Sequence, residues 1–535
     1  MTKKDQFYPY KIDFLSALLC IVAAGGISSS ASVGANYPHQ DGRRPEEAGG
    51  YLVLEAKLFI AGNAVPAWGE ATFDRRDPAT DVVATRASAA SVEDAVRAAN
   101  AAAAAFPEWS STTPAARSAI LLKAAQILDQ RKADFIAAMA EEIGASEVWA
   151  RFNCTLACDI LTDAAGMADQ LTETDIPARR KGVKALAVRQ PAGVVLGIAP
   201  WNAPVVLGVR AVAVPLACGN TAILKASELC PKTHSLIVEI FNEAGLPDGA
   251  LNLITNAPEK APEIVEALIA HEAVRRVNFT GSTRVGRVVA AHCARHLKPC
   301  LLELSGKAPL LVLDDADIAE AVKAAAFGAF FNQGQICIST ERIIVDQSIA
   351  DEFLTLFAAK METLVAGDPR TGSYPLGAMI SREAAIRVKG LIEDAVAKGA
   401  TLVAGFQLDD IVMQPTLLDG VTSAMRIYTE ESFGPVAAVI HVNGVEEAIS
   451  VANDSEFGLA AAVFGRDIDR ALEVARRIDS GICHVNGPTV YDEPNMPFGG
   501  MKASGYGRFG GEAGVAEFTE LRWISVHNEP HEYPI

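Results

Sequence analysis

From Lys57 to the C-terminus the chain alternates between two rhythms. Short unbroken apolar runs bounded by turn residues read as strands buried on both faces, and apolar positions at three- and four-residue spacing read as helices. The stretch 190–300 shows both. Val194–Ala199 is a buried strand stopped by Pro200, and Ala203–Ala217 is a helix. Gly219-Asn220 turns into a strand over Thr221–Lys225. A helix from about Lys232 to Ala244 stops at Gly245 and Pro247. Then follow a strand (Ala250–Ile254), a helix (Pro258–His271), a strand (Val274–Phe279) and a helix opening near Arg284. That order predicts a parallel, doubly wound sheet, with ligands at the carboxyl ends of its strands. Three such ends carry Asn202, Lys225 and Thr280-Gly281-Ser282.

Ahead of this, Ser91 caps an Ala-rich helix, Val92–Ala105, with Glu93 and Asp94 in its first turn, and Pro107 and Trp109 end it. A second helix runs from Pro114 to about Ala140. Residues 303–500 repeat the rhythm: strand Leu310–Leu313, helix Asp317–Phe331, a loop to Cys337 and strand Arg342–Val345. They read as a second α/β domain.

Composition narrows the class. A chain of 535 residues, 50% apolar, has ample core and room for three or four structural units. Its net charge of −18 argues against nucleic acid, and no Cys/His spacing predicts a metal. Residues 1–56 differ. Lys3, Lys4 and Lys11 precede an apolar run, Phe14–Ile27, too short for a typical membrane span, and Asp5 and Asp13 spoil the positive flank of a signal peptide. Signal, membrane-associating tail and non-structural extension are all readings of it. A free thiolate and a soluble nucleotide, required below, favour the extension and a cytoplasmic protein.

The candidate chemistry is spread over several segments. Cys337, in Asn332-Gln333-Gly334-Gln335-Ile336-Cys337, is either a buried core cysteine or a nucleophile. An unassisted thiol is only roughly 3% ionised at neutral pH, so a nucleophile needs local help. Glu303, set among leucines, is either an edge carboxylate facing water or a buried base of raised pKa. Asn202 is either a helix cap or an oxyanion donor. Lys225 and Glu228 are either a solvated loop or a hold on ribose hydroxyls. Gly281-Ser282-Thr283-Arg284-Val285-Gly286 joins strand to helix, where a pyrophosphate can approach backbone N–H groups. The one GxGxxG run, 505–510, follows no apolar strand and has no room for a βαβ unit, so it is set aside.

Seven segments together resemble the aldehyde dehydrogenase superfamily: Pro200-Trp201-Asn202, Lys225-Ala226-Ser227-Glu228, Phe279-Thr280-Gly281-Ser282, Leu302-Glu303-Leu304-Ser305-Gly306-Lys307, Gly334-Gln335-Ile336-Cys337, Glu431-Ser432-Phe433-Gly434-Pro435 and Pro497-Phe498-Gly499-Gly500. Within it, 486–493 and 504–511 look most like the salicylaldehyde and vanillin dehydrogenase branch. The resemblance runs from about Lys57 onward. It implies an NAD-binding domain (57–171 and 191–302), a catalytic domain (303–515) and a small β oligomerisation arm (172–190 and 516–535), giving a homodimer or homotetramer.

By resemblance, Cys337 is the nucleophile, Asn202 and the Cys337 N–H form the oxyanion hole, and Glu303 activates the hydrolytic water. Lys225 and Glu228 hold the adenosine ribose, Glu431 the nicotinamide ribose with Phe433 beside it, and Ser282 the pyrophosphate between Gly281 and Gly286. Trp201 also belongs to the cofactor site. A carboxylate at 228 favours NAD over NADP. The retained Glu303 implies a free acid as product, and no metal is implied. Arg210, eight residues past Asn202, and Tyr491 occupy tunnel positions in the family, while Ile336 and Ile338 flank the nucleophile. A guanidinium there binds a phenolate, hydroxyl or carboxylate, or forms a structural salt bridge. These features suit an aromatic aldehyde with a polar ring substituent, and also a semialdehyde with a distal carboxylate.

Overall fold

The stretch 190–303 folds as five parallel strands and their crossover helices. The computed structural model describes residues 53–180, 182–368, 374–530 and 533–535. In chain order the elements are β1 (Val194–Ile198), α1 (Pro204–Ala217), β2 (Thr221–Lys225), α2 (Pro231–Glu243), β3 (Leu251–Ile254), α3 (Ala261–Ala270), β4 (Val274–Thr280), α4 (Thr283–Arg295) and β5 (Cys300–Glu303). The spatial order is β5-β4-β1-β2-β3. From β1 the chain winds one way to β3, then crosses back to β4 and β5, so the winding reverses between β1 and β4. The crevice at that reversal is where such sheets bind ligands. Every residue of β1 and β2 is buried, which is why their sequences show no alternation. α1 is buried along its whole length, because helix Glu147–Met167 covers the face turned away from the sheet.

Antiparallel strands extend both edges. Leu58–Ile60 pairs with β3 and carries Asn63–Val65 outside it. At the far edge Gly505–Tyr506 pairs with β5, setting Gly505 against Glu303 and Tyr506 against Leu302. The GxGxxG run is therefore a sheet edge.

A second, largely parallel sheet follows, with β6 (Ala308–Val312), α5 (Ile318–Phe330) and β7 (Thr340–Asp346) at its start. β6 lies between β7 and Ala460–Phe464, and Val436–Val442 flanks β7. A separate antiparallel sheet joins Glu173–Ile176, Val183–Pro191 and Thr519–His527, with Thr519 opposite Pro191 and His527 opposite Val183.

Three local expectations change. The first helix runs on through Pro107 to Ser111. Ser91 caps it as predicted, and Asp94 bonds back to the Ser91 N–H to complete a capping box. Pro107 removes one helical N–H, but Trp109, 1% exposed, anchors the final turn in the core at roughly 1.5–3 kcal/mol. The helix predicted from Pro114 breaks at Arg131 into Pro114–Gln130 and Lys132–Ile143, where the Arg131 guanidinium binds Asp134 and Glu239, each at 2.9 Å. Leu54–Ala56, inside the stretch read as an extension, is a strand paired in parallel with Val83–Ser88. The Lys3–Ile27 stretch lies outside the described residues. Among the described residues no helix is long and apolar enough to cross a membrane, and no cluster of His, Cys, Asp and Glu could hold a metal.

Candidate active site

Asn202, Gly281 and Ser282 follow the ends of β1 and β4, Glu303 ends β5, and Cys337 comes from the second sheet's side of the crevice. The helix after Asn202 is capped by Ala203 without a side-chain bond, so the Asn202 amide is not spent as a cap. One of its N–H groups donates to the Gln335 carbonyl at 3.1 Å, two residues before Cys337. An amide carries two N–H groups, so the other remains for a ligand oxygen. The Asn202 carbonyl is pinned by Trp149 Nε1 at 2.9 Å and Asn332 Nδ2 at 3.2 Å.

Cys337 follows a tight turn in which Asn332, Gln333 and Gly334 all adopt left-handed φ, +48°, +54° and +68°. Gly306 packs so closely on this segment that a Cβ there would lie 2.2 Å from the Cys337 carbonyl oxygen. Ile336 and Ile338 on either side are buried, which fixes the turn in the core.

Glu303 is 1% exposed, and neither of its carboxylate oxygens has a nitrogen or oxygen donor. The Cys337 thiol is its polar neighbour. Burial raises the Glu303 pKa to about 7, against the neighbouring thiol and the positive charge of Arg210. Burial, with the Glu303 charge beside it, pushes the Cys337 thiol well above its ordinary value. The two form a mutually adjusted acid–base pair. Gly281 N–H donates to the Glu303 carbonyl at 3.0 Å, and Leu304 N–H to that of Ser504 at 3.1 Å, so the backbone around Glu303 is held from both sides.

The cofactor candidates fall into two groups. At the ends of β2 and β3, Lys225 and Glu228 form a direct ion pair. Asn256 Nδ2 also donates to Glu228 at 3.0 Å, while Asn256 Oδ1 is buried without a partner. His234 braces this loop. Ser227 N–H donates to Nδ1 at 3.1 Å, which puts the ring proton on Nε2, 3.2 Å from the Pro204 carbonyl. Burial lowers the His234 pKa to about 3, so the brace is neutral. Ser282 caps α4, accepting from Val285 N–H at 3.4 Å. Gly286 lets α4 settle onto Leu304, where a Cβ would approach to 2.4 Å.

In the second group, Glu431 accepts from Gly306 N–H at 3.0 Å, and burial, helped by the Glu341 charge, raises its pKa to about 7. Phe433 meets Trp201 edge to face at 5.8 Å. Glu341 organises this loop: its carboxylate accepts from Ser432 N–H (2.9 Å), Ser432 Oγ (2.7 Å) and Phe433 N–H (3.0 Å), and pairs with buried Lys307 at 2.7 Å. A nicotinamide dinucleotide fits these atoms: the unpartnered Asn256 oxygen beside Glu228 suits a ribose hydroxyl, and Glu431 suits a second ribose.

Of the substrate-side candidates, Arg210 is 6% exposed on fully buried α1. It forms a salt bridge with Asp492 at 2.5 Å and lies over the Phe498 ring at 4.6 Å from its centroid. Arg210 is thus already paired and presents no bare guanidinium. Asp492 Oδ1 is left buried without a partner. Tyr491 bonds through its hydroxyl to Glu493 and sets its ring against His484, 5.2 Å away. Sequence reasoning missed Glu341, Asn256, His234 and Asp492.

Residues 65–524 match the aldehyde dehydrogenase family, and the chain belongs to that family of NAD(P)-dependent oxidoreductases. It is 57% identical to vanillin dehydrogenase from Pseudomonas fluorescens over 483 residues, covering 90% of this chain and 100% of that one. Salicylaldehyde dehydrogenase from Pseudomonas putida is 48% identical over 482 residues, with the same coverage. The crystal structure of a salicylaldehyde dehydrogenase from Pseudomonas putida G7 complexed with salicylaldehyde superposes with a TM-score of 0.89 at 48% identity, again over 90% and 100% of the two chains.

Proposed function

We propose that the enzyme oxidises a hydroxylated aromatic aldehyde of the salicylaldehyde or vanillin type to the free acid, using NAD. The observation that carries the chemistry is the Cys337 thiol beside a buried carboxylate whose two oxygens are left without a hydrogen-bond partner. Glu303 accepts the thiol proton as Cys337 attacks the carbonyl carbon. The free N–H of Asn202 and the Cys337 N–H steady the oxyanion of the thiohemiacetal. A nicotinamide held at Glu431 and Phe433 would supply the hydride acceptor. Glu303 then gives up that proton to solvent, and as a carboxylate it deprotonates the water that hydrolyses the thioester, releasing the acid and the Cys337 thiolate. Asn202→Ala is expected to slow acylation about 10²–10³-fold in single-turnover measurements, with little change in cofactor binding.

NAD is favoured because a 2′-phosphate would meet the Glu228 carboxylate. The aromatic reading rests on the similarity to vanillin and salicylaldehyde dehydrogenases and on the Arg210–Asp492 pair, of which both charges act on Glu303 and that of Arg210 also on Cys337. Asp492 already balances the guanidinium, so a distal carboxylate would add a second anion, whereas a ring hydroxyl can donate to Asp492 Oδ1. A panel of salicylaldehyde, vanillin, benzaldehyde and succinic semialdehyde with NAD and NADP tests this. The hydroxylated aromatics with NAD should give the highest kcat/KM, and Asp492→Asn should erode their advantage over benzaldehyde. Preference for succinic semialdehyde would refute the substrate class and leave the thiol chemistry standing.

Leu521 and Trp523, 64% and 76% exposed on the three-stranded antiparallel sheet, support self-association of this arm into a homodimer or homotetramer. Trp523→Glu is expected to shift the species seen by light scattering toward the monomer. A soluble dinucleotide and a free thiol are consistent with action in the cytoplasm.

A further inference from the structure

Away from the catalytic centre, two cysteines from neighbouring elements meet at the foot of β5. Cys300 is the first residue of β5, three positions before Glu303, and Cys293 lies in the last turn of α4. Both side chains pack in one apolar cluster, with Cys300 at its partly buried margin, and the Tyr506 hydroxyl stands 3.1 Å from Cys300 Sγ. Cys293 is 1% exposed, whereas Cys300 is only partly buried and Tyr506 is half exposed. The neighbouring Cys293 thiol and, less strongly, the Tyr506 hydroxyl hold the Cys300 thiol below its ordinary value in spite of burial. The same interaction, with burial, pushes Cys293 up. An accessible, acidified thiol backed by a buried one is the arrangement of an attacking and a resolving cysteine. Cys337 is the opposite case, since burial and the Glu303 charge keep its thiol protonated in the free enzyme.

We propose that Cys300 and Cys293 form a redox-modification site, oxidised by hydroperoxides to a reversible disulfide that fastens α4 to β5. The Cys300 thiolate attacks the terminal peroxide oxygen and the O–O bond breaks. The alkoxide or hydroxide released takes up the proton that Cys300 gave up, leaving a sulfenic acid. Cys293 sulfur then displaces hydroxide from that sulfenic acid, its own proton leaving with the hydroxide as water, and the S–S bond forms. Two thiols lose two electrons and one peroxide gains them. The cross-link joins the helix that opens at Ser282 to the strand that ends at Glu303, so it spans two parts of the catalytic crevice without touching either.

The test uses the full-length Cys337→Ser protein, which lacks the competing catalytic thiol. After hydrogen peroxide, free thiols are alkylated and the chain is digested with trypsin without reduction. Cleavage at Arg287, Arg295 and Lys307 separates residues 288–295, with Cys293, from residues 296–307, with Cys300. The expected product is the two peptides joined, two hydrogens lighter than their sum and separated by dithiothreitol. Cys300→Ser in this background should give no linked product. Cys293→Ser should leave Cys300 as a sulfenic acid captured by dimedone. Free thiols on both peptides, at a peroxide dose that oxidises Cys337 in the wild-type chain, would overturn the proposal. So would conversion of Cys300 to a sulfinic acid without linkage.

Discussion

Cys337→Ala is expected to lower aldehyde-dependent formation of reduced nicotinamide by about 10⁴-fold or more, because no neighbouring group replaces the thiolate. Glu303→Gln should behave differently. The glutamine keeps the shape of the side chain and cannot take a proton, so acylation slows while hydrolysis nearly stops. Rapid mixing should show a burst approaching one reduced nicotinamide per site, then a steady rate lower by about 10²–10⁴-fold. The wild-type pH profile follows from the same carboxyl. A group raised to about 7 is protonated below that pH and cannot accept from water, so the hydrolytic rate should rise through about pH 7 and level off above it. Glu303→Gln should lose this limb. A variant without a burst but with an unchanged pH profile would place the proton acceptor elsewhere.

The second large effect concerns Glu341. Removing it as Glu341→Leu leaves the Lys307 ammonium, itself 2% exposed, without its carboxylate. Stripping one partner from a buried pair costs about 3–5 kcal/mol, whereas replacing both by apolar groups is often close to neutral. Chemical denaturation should therefore show a large loss for Glu341→Leu and substantial recovery in Lys307→Met/Glu341→Leu. Cofactor affinity should not recover with it. Glu341 also accepts the Ser432 and Phe433 N–H groups that set the loop carrying Glu431 and Phe433. A double variant with restored stability and a raised KM for the dinucleotide would separate the two roles. Recovery of both together would leave Glu341 as a charge partner alone.

These two sites differ in how plainly the sequence announced them. β1 and β2 were legible because a strand buried on both faces must be apolar throughout, and the residues following such runs fall in the crevice whatever their identity. That logic found Asn202, Lys225 and Ser282. Glu303 drew notice as a lone carboxylate among leucines. Glu341 and Lys307 gave a subtler signal of the same kind, charges at the starts of the apolar runs of two adjacent parallel strands, which burial obliges to pair. Arg210 was legible as a wall residue, but its partner was not: Asp492 lies 282 residues on, and only the tertiary fold brings it within 2.5 Å. Asn256 and His234 read as ordinary helix-loop residues because their roles depend on partners in other segments: the Glu228 carboxylate for Asn256, and the Ser227 N–H and Pro204 carbonyl for His234. Pro107 misled because the stop rule weighs one lost N–H and takes no account of the buried tryptophan beyond it.

The pairing of Gly505 with Glu303 also bears on how the protein is made. The strand edge at residues 300–303 leaves the ribosome about 200 residues before the segment that covers it. At about 5–20 residues per second, that edge waits roughly 10–40 s with its backbone N–H and C=O groups open to another chain. Throughout that interval the nascent polypeptide carries Glu303 on an unguarded β edge. Slow translation or crowded polysomes should therefore favour aggregation before the finished enzyme exists, and supplying the last thirty or so residues in trans is a direct way to shield it.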